Sequence, residues 1–340
     1  MTGTKLFTHG GRGALCVLLP LACILFSLTL GAYYIPVEHV FHILTADVTG
    51  TLPADITPME VSMIYDVRLP RVVAAVLAGC GLAVAGGVFQ ALFGNPLASP
   101  YTLGVSNGAG FGAALAIVLT TSAAAVQISA LAFGIVSVGL TFLLAGRKRS
   151  APVTMILSGM LVSAFFSSLV ALLKFTADPQ EKLPQIVYWL MGSLASVRYD
   201  GLLLVLPAYI AALVLLLLYR WRINILSMGT QEARSMGVSV TRDRALIILA
   251  ATLLTSLVVS FSGIIGWVGI VIPHLARMIT GPDFRRLMPV SAALGVVYLL
   301  VIDDLCRTLT SLEIPIGVIT GIVSIPIFIY FILKKKVRWS

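Results

Sequence analysis

Long apolar runs separated by short polar connectors dominate the chain. A membrane-spanning helix needs about 20 mostly apolar residues. Such runs occupy 14–34, 70–92, 101–120, 124–145, 152–174, 200–219, 244–262, 287–305 and 314–333. A shorter stretch, 264–279, carries Pro273 and reads as a broken or short span. The runs are continuous rather than alternating. That excludes an outer-membrane barrel, whose strands alternate lipid-facing and lumen-facing residues. The pattern predicts an all-α polytopic membrane protein with about ten transmembrane helices.

Composition sharpens this picture. Of 340 residues, 59% are hydrophobic and 11% charged, against about 25% charged in soluble domains. A soluble globule needs a charged exterior, and a disordered chain needs low hydrophobicity. The net charge of +9 does not point to nucleic acid, because the basic residues sit in short clusters between apolar runs.

Placing connectors on alternate sides of ten spans gives seventeen basic and three acidic residues on one side, and six basic and eleven acidic on the other. The positive-inside rule makes the first side cytoplasmic. Both termini then lie inside, in a cell inner (cytoplasmic) membrane. Ten spans rather than nine keep the Lys334-Lys335-Lys336-Val337-Arg338 cluster with the other basic residues. The first run follows Lys5 and Arg12 and resembles a signal peptide. Its length, and the orientation nine later spans require, predict an uncleaved first span. The chain reads as one transmembrane domain over 1–340, with 35–67 as an outer loop and 222–243 as an inner loop.

Arg68-Leu-Pro-Arg71 and Arg242-Asp-Arg244 each open a group of four spans, from opposite sides. This faint echo suggests an inverted repeat of helices 2–5 and 7–10, as many transporters carry.

Absences narrow the chemistry. Span interiors carry almost no ionisable residue, whereas ion-coupled transporters and proton pumps keep charged relays at mid-membrane. No Gly-Lys pair occurs, so no Walker A motif exists and ATP is not bound by that route. If the chain pumps, its energy comes from a partner. His39 and His42 lie near Glu38 in the outer loop, and two histidines make a weak metal site. His274, after Pro273, reads as interfacial or capping. Ser262-Gly-Ile-Ile-Gly266 lacks the nucleophile-elbow pattern. Cys16, Cys23, Cys80 and Cys306 show no paired spacing and read as small buried hydrophobes. An ion-coupled transporter and a membrane-embedded enzyme stay open as alternatives. The first needs a titratable group at mid-depth, and the second a polar cluster at one interface.

Small residues recur every four positions, as in Gly104, Gly108 and Gly112, or Gly79, Ala83 and Gly87. Such spacing lets helix backbones approach closely. Ser106 and Asn107 beside Gly108 are the best site for a polar path, since Asn in hydrocarbon is costly unless paired or wet. Asn95-Pro96-Leu97-Ala98-Ser99-Pro100 reads as a rigid inner turn.

At this point the motifs match a known family. The chain resembles the permease subunit of type II ABC importers, the FecCD-like family that takes up iron–siderophores, haem and vitamin B12. Seven segments carry the resemblance, in the family's order. They are Arg68-Leu-Pro-Arg71, GVFQALFGNPLASPYTLGVSNGAG over 87–110, YWLMGSL over 188–194, GTQEARSMGVSV over 229–240, GWVGIVIPHLAR over 266–277, GPDFRRLMP over 281–289 and EIPIGVITG over 313–321.

The resemblance implies no catalytic residue and no metal or cofactor in this chain. ATP and Mg²⁺ belong to a partner ATPase. It implies a homodimer of permeases, two ATPase subunits and a periplasmic or lipid-anchored substrate-binding protein, with no nucleic acid. Arg68, Arg71 and Arg307 correspond to outer arginines that receive acids of the binding protein, although the interval from Arg307 to Glu313 is one residue shorter than the family pattern; snorkelling, or pairing with Asp66, Asp303 or Asp304, is the alternative. Gly229, Glu232, Ala233, Arg234 and Gly237 match the loop that seats on the ATPase. The path and its gates fall to Asn95, Pro96, Leu97 and Ala98, to Ser106, Asn107 and Gly108, and to Leu157, Ser158, Gly159 and Met160. The implied cargo is an iron–siderophore first, then haem or vitamin B12, with oxyanions after them.

Overall fold

The computed structural model describes residues 9–31, 33–146, 152–310 and 312–333, and only the backbone of 9–12, 47–49, 152 and 332. The basic residues Lys5, Arg147, Lys148, Arg149, Lys334, Lys335, Lys336 and Arg338, and the Arg12 side chain, lie outside the described residues. No strand occurs among the described residues. The helices are α1 (His9–Thr29), α2 (Val37–Thr49), α3 (Pro58–Ser62), α4 (Leu69–Phe93), α5 (Val105–Leu119), α6 (Ala123–Ala145) and α7 (Pro152–Thr176). There follow α8 (Lys182–Met191), α9 (Tyr199–Met228), α10 (Thr230–Ser235), α11 (Val240–Ser262), α12 (Val268–Thr280), α13 (Phe284–Thr308) and α14 (Ile316–Leu333). A π-helical turn, Met63–Arg68, leads into α4.

Each of the ten apolar runs is helical. Among the described residues, six helices are long and apolar enough to cross a membrane: Pro58–Phe93, α6, α7, α9, α11 and α13. Four apolar helices are shorter: Gly13–Thr29, Val105–Leu119, Val268–Thr280 and Ile316–Phe331. Local chemistry sets the ends. Gly94 closes α4 in the left-handed region, where glycine has no Cβ penalty. The Ser122 side chain caps α6 by accepting from the Ala125 N–H, and Asp283 caps α13 by accepting from Arg285.

Two expected loops shrink. The 35–67 segment is mostly helical, because Val40 and Ile43 of α2 bury one face while Phe41 and His42 stay exposed. The 222–243 segment keeps only 229–239 outside long helices, since α9 continues through Arg220 and Arg222 to Met228. Charges end an apolar run but do not end a helix, because Arg is a good helix former.

At the centre stand α4 and α11. Their most apolar windows are 78% and 72% buried, against 28% for α7 and for α9. The centre is held by backbone approach rather than bulk. A Cβ at Gly86 would overlap the Gly269 carbonyl, and Gly79 and Gly295 exclude each other's Cβ in the same way. Between membrane helices such contacts carry the packing, because lipid gives no hydrophobic drive to associate.

The packing also carries the inverted echo. Helix α4 packs on α12 and α13, and α11 packs on α5 and α6. That is the exchange of partners expected if α4–α7 and α11–α14 are related by a twofold. Each half places a short helix after its central long one. Before α5 comes a 3-10 turn, Pro100–Leu103, and a left-handed Gly104. Before α12 comes an irregular stretch ending at Trp267, the one non-glycine at positive φ (68°) among the described residues.

Candidate functional site

The bundle has two ends. We term upper the end where the 30–68 segment, α8 and the 309–315 connection meet, and lower the end holding 94–99, α10 and 281–283.

The three arginines singled out from the sequence converge at the upper end, but they are not an open rim. Arg68, Arg71 and Arg307 are buried, at 3%, 6% and 7% exposure. Burial of a charge requires partners, and each has them. The Arg68 guanidinium donates to the Leu28 carbonyl at 2.6 Å and to the Tyr33 carbonyl, capping the last turn of α1. Arg71 Nε lies 3.0 and 2.9 Å from the two Asp303 oxygens, and its Nη1 lies 2.8 Å from both Glu313 oxygens. Arg307 donates to Asp304, to the Ser27 hydroxyl at 2.7 Å and to the Ser27 carbonyl. The Ser27 hydroxyl in turn donates to Asp304 at 2.7 Å. One network therefore ties α1, α4, α13 and the connection into α14. Its acids differ in access. The Asp303 side chain is 1% exposed and that of Glu313 is 38% exposed.

Beside this network three backbones cross. The Ile316 N–H donates to the Gly192 carbonyl at 3.0 Å, and the Ser193 N–H donates to the Ser262 carbonyl at 2.8 Å. Gly192, Gly263 and Gly317 meet there with no room for a Cβ. The node joins α8, the end of α11 and the start of α14. Helix α8 was not among the expected spans. Its motif was visible, but ten residues are too short for a hydropathy signal.

His39 of α2 sits between two carboxylates, 3.1 Å from Glu60 and 3.2 Å from Asp55. His42 is exposed and apart. No cluster of His, Cys, Asp or Glu among the described residues is arranged to hold a metal, and the four cysteines are free.

At the lower end, Asn224 donates to Asp283 and accepts from the Phe284 N–H, both at 2.6–2.7 Å. Arg222 pairs with buried Asp243 at 2.6 Å. The pair with Asp243 ties α9 to α11 on either side of 229–239, and the Asn224 bonds tie α9 to the start of α13. Gly229 (φ 131°) and Gly237 (φ 77°) take backbone forms that favour glycine. Ala233 is fully buried against its own chain, and its carbonyl accepts from Val238. Glu232, Arg234 and Met236 form the exposed surface beside it.

The proposed path residues divide. Asn95–Ala98 form a turn closed by Asn95 Oδ1, which accepts from the Leu97 N–H at 2.9 Å. Leu97, Leu157 and Met160 are exposed at 52–58%. Asn107 is half-buried. Gly108 instead faces α6, with no space beside Phe133 and Ser137 for a Cβ. Gly159 packs on the Thr102 carbonyl, and Ser106 and Ser158 are buried. Gly108 and Gly159 are therefore close-packing positions between helices, while Leu157 and Met160 lie on the exposed face of α7. A cavity of about 930 Å³ opens elsewhere, near the upper end. Gln127, Trp189, Ser193, Leu204 and Phe261 line it, and none of the expected path residues does.

Comparison with known proteins follows the same outline. The profile described as the FecCD transport family matches residues 18–334. The chain is 38% identical to the molybdate import system permease protein MolB of Haemophilus influenzae, over 91% of each chain. It is 37% identical to a probable iron chelatin transport system permease protein of Helicobacter pylori, over 81% of this chain and 83% of that one. It is 34% identical to the hemin transport system permease protein HmuU of Yersinia pestis, over 81% and 84%. Among solved structures, an inward-facing metal-chelate type ABC transporter superposes with a TM-score of 0.86 at 35% identity, covering 96% of this chain and 100% of that one.

Proposed function

Because this chain belongs to the FecCD transport family of ABC-importer permeases, we propose that it forms half of an ATP-driven import channel for a metal-bearing cargo. Membership makes it a multi-pass membrane protein and not an enzyme, with ATP hydrolysis in a separate subunit. It also implies an ATPase partner and a substrate-binding protein.

The finer reading is ours. All ten apolar helices cross the membrane as one domain, with both termini and the lower end in the cytoplasm. A second copy faces the open side of α7, and the path runs between Leu157, Met160 and their counterparts. The exposed side of α10, with Glu232 and Arg234, seats on the ATPase, which alone binds ATP and Mg²⁺. The binding protein docks at the upper end, and its acids meet the arginine network, chiefly through Arg71. Alternating access then follows from ATP binding and hydrolysis below. Neutral lining suits this, because the path must release what it admits.

The observation that carries this reading is the likeness to a metal-chelate type ABC transporter along 96% of the chain. An iron chelate is the proposed cargo, supported by the iron chelatin and hemin relatives. Molybdate is the second reading, favoured by the relative aligned over 91% of both chains. Proteoliposomes holding permease, ATPase and binding protein test both. ATP-dependent iron-chelate uptake that stops without the binding protein is expected. Uptake of molybdate alone replaces the chelate with the oxyanion, and uptake on an ion gradient without ATPase overturns the importer reading.

A further inference from the structure

We infer that Glu313 is a displaceable internal counter-ion, occupying on Arg71 the place that a carboxylate of the docking protein takes. The inference rests on the docking reading above and concerns how that site is kept closed.

The argument begins with the three arginines. Arg68 is held by backbone carbonyls of α1 and the segment after it. Arg307 is held by Ser27 and Asp304, within reach of Asp303, whose side chains are buried. Neither offers a partner that can leave. Arg71 divides its guanidinium between two acids. Its Nε edge belongs to Asp303, which is 1% exposed and fixed on α13. Its Nη1 belongs to Glu313, which is 38% exposed and lies on the connection into α14.

Exchange at Nη1 is cheap for a physical reason. Removing the sole partner of a buried charge is strongly destabilising. When Glu313 leaves, Asp303 still neutralises Arg71, so no orphan charge results. The departing carboxylate already borders water. An incoming carboxylate finds the same two-oxygen geometry that Glu313 now satisfies at 2.8 Å. The small exposure of Arg71 therefore does not conflict with docking, because the side chain that covers it is the one that moves.

The connection also determines what such an exchange would reach. The Tyr188 hydroxyl of α8 donates to the Glu313 carbonyl at 3.4 Å, and three residues on the Ile316 N–H holds Gly192 at the end of α8. Displacing the Glu313 side chain therefore perturbs the segment that fastens α8 to α14. The partner this site fits is a protein that presents an acidic side chain on an exposed loop.

The test measures affinity of the permease–ATPase complex in nanodiscs for its binding protein, with unfolding midpoints recorded for every variant. Glu313→Gln removes the competitor and should tighten binding by about two- to fivefold, the range of an exposed ion pair, with the gain shrinking in high salt. Arg71→Gln paired with Asp303→Asn removes the donating cation without leaving a buried carboxylate, and should weaken binding. If Glu313→Gln leaves affinity unchanged or lower while the paired variant weakens it, the counter-ion inference fails and docking stands. If the paired variant leaves affinity unchanged, docking at Arg71 fails and the inference with it.

Discussion

His39 shows how one side chain can fasten a whole segment. Its two ring nitrogens bridge Glu60 and Asp55, so α2 is tied to α3 and to the turn before it. The hydrogen bond to Glu60, joined by the charges of Glu60 and Asp55 against a smaller desolvation effect, raises its pKa above the ordinary histidine value. A raised folded pKa means that the protonated form is favoured in the folded chain. The stabilisation is therefore complete below about pH 6.5, the ordinary value, and is lost as pH rises through the raised one. His39→Gln should lower the unfolding midpoint at about pH 6 and leave it little changed near about pH 8.5. A gap between variant and parent that stays constant over that interval would refute the tether. From the sequence alone His39 was a solvated histidine or a thin metal candidate, because Asp55 and Glu60 stand sixteen and twenty-one positions away. The arginines repeat the lesson. Their place in an acidic outer face made them conspicuous and left Asp66, Asp303 and Asp304 as candidate partners, but nothing in the spacing matched each arginine to its acid, such as Arg71 to Asp303 232 positions on. Ala233 was ambiguous in the same way, since a small residue suits an inner contact and an outer one equally well.

At the scale of elements, hydropathy was a faithful guide wherever the element was long and apolar. The ten runs became ten helices because burying backbone polar groups in hydrocarbon leaves few other solutions. It missed α2 and α8, which are short and carry polar residues, and it stopped α9 too early. Glycine spacing announced close packing without saying which helices meet. The structure gives the pairs: Gly86 with Gly269, Gly79 with Gly295, and Gly112 with Ser129 of α6, whose hydroxyl donates to the Gly112 carbonyl at 2.7 Å. Gly86→Ala should therefore force α4 from α12 and cost about 1–3 kcal/mol, the range for overpacking. Gly139→Ala, on a face of α6 with nothing within 4 Å, is the matched control and should be neutral or slightly stabilising. Equal unfolding midpoints for the two variants in detergent would contradict the packing argument.

For the whole molecule the decisive question is which surface reaches the motor. The exposed side of α10 carries Glu232 and Arg234, and buried Ala233 holds it in place. Reversing both charges, Glu232→Arg with Arg234→Glu, should leave the chain folded yet lower ATP-driven uptake by about tenfold through lost charge complementarity. Ala233→Trp should instead reduce folded yield, because the site is filled by its own chain. Parental uptake by the double reversal would place the ATPase contact elsewhere. The pairing of Arg71 has a consequence for the order of synthesis. Asp303 and Glu313 emerge from the ribosome 232 and 242 residues after the arginine they neutralise. Helix α4, the most buried in the bundle, therefore enters the membrane with an uncompensated cation near one end. It keeps that cation until α13 arrives, so an element of the centre made early is among the last to be completed.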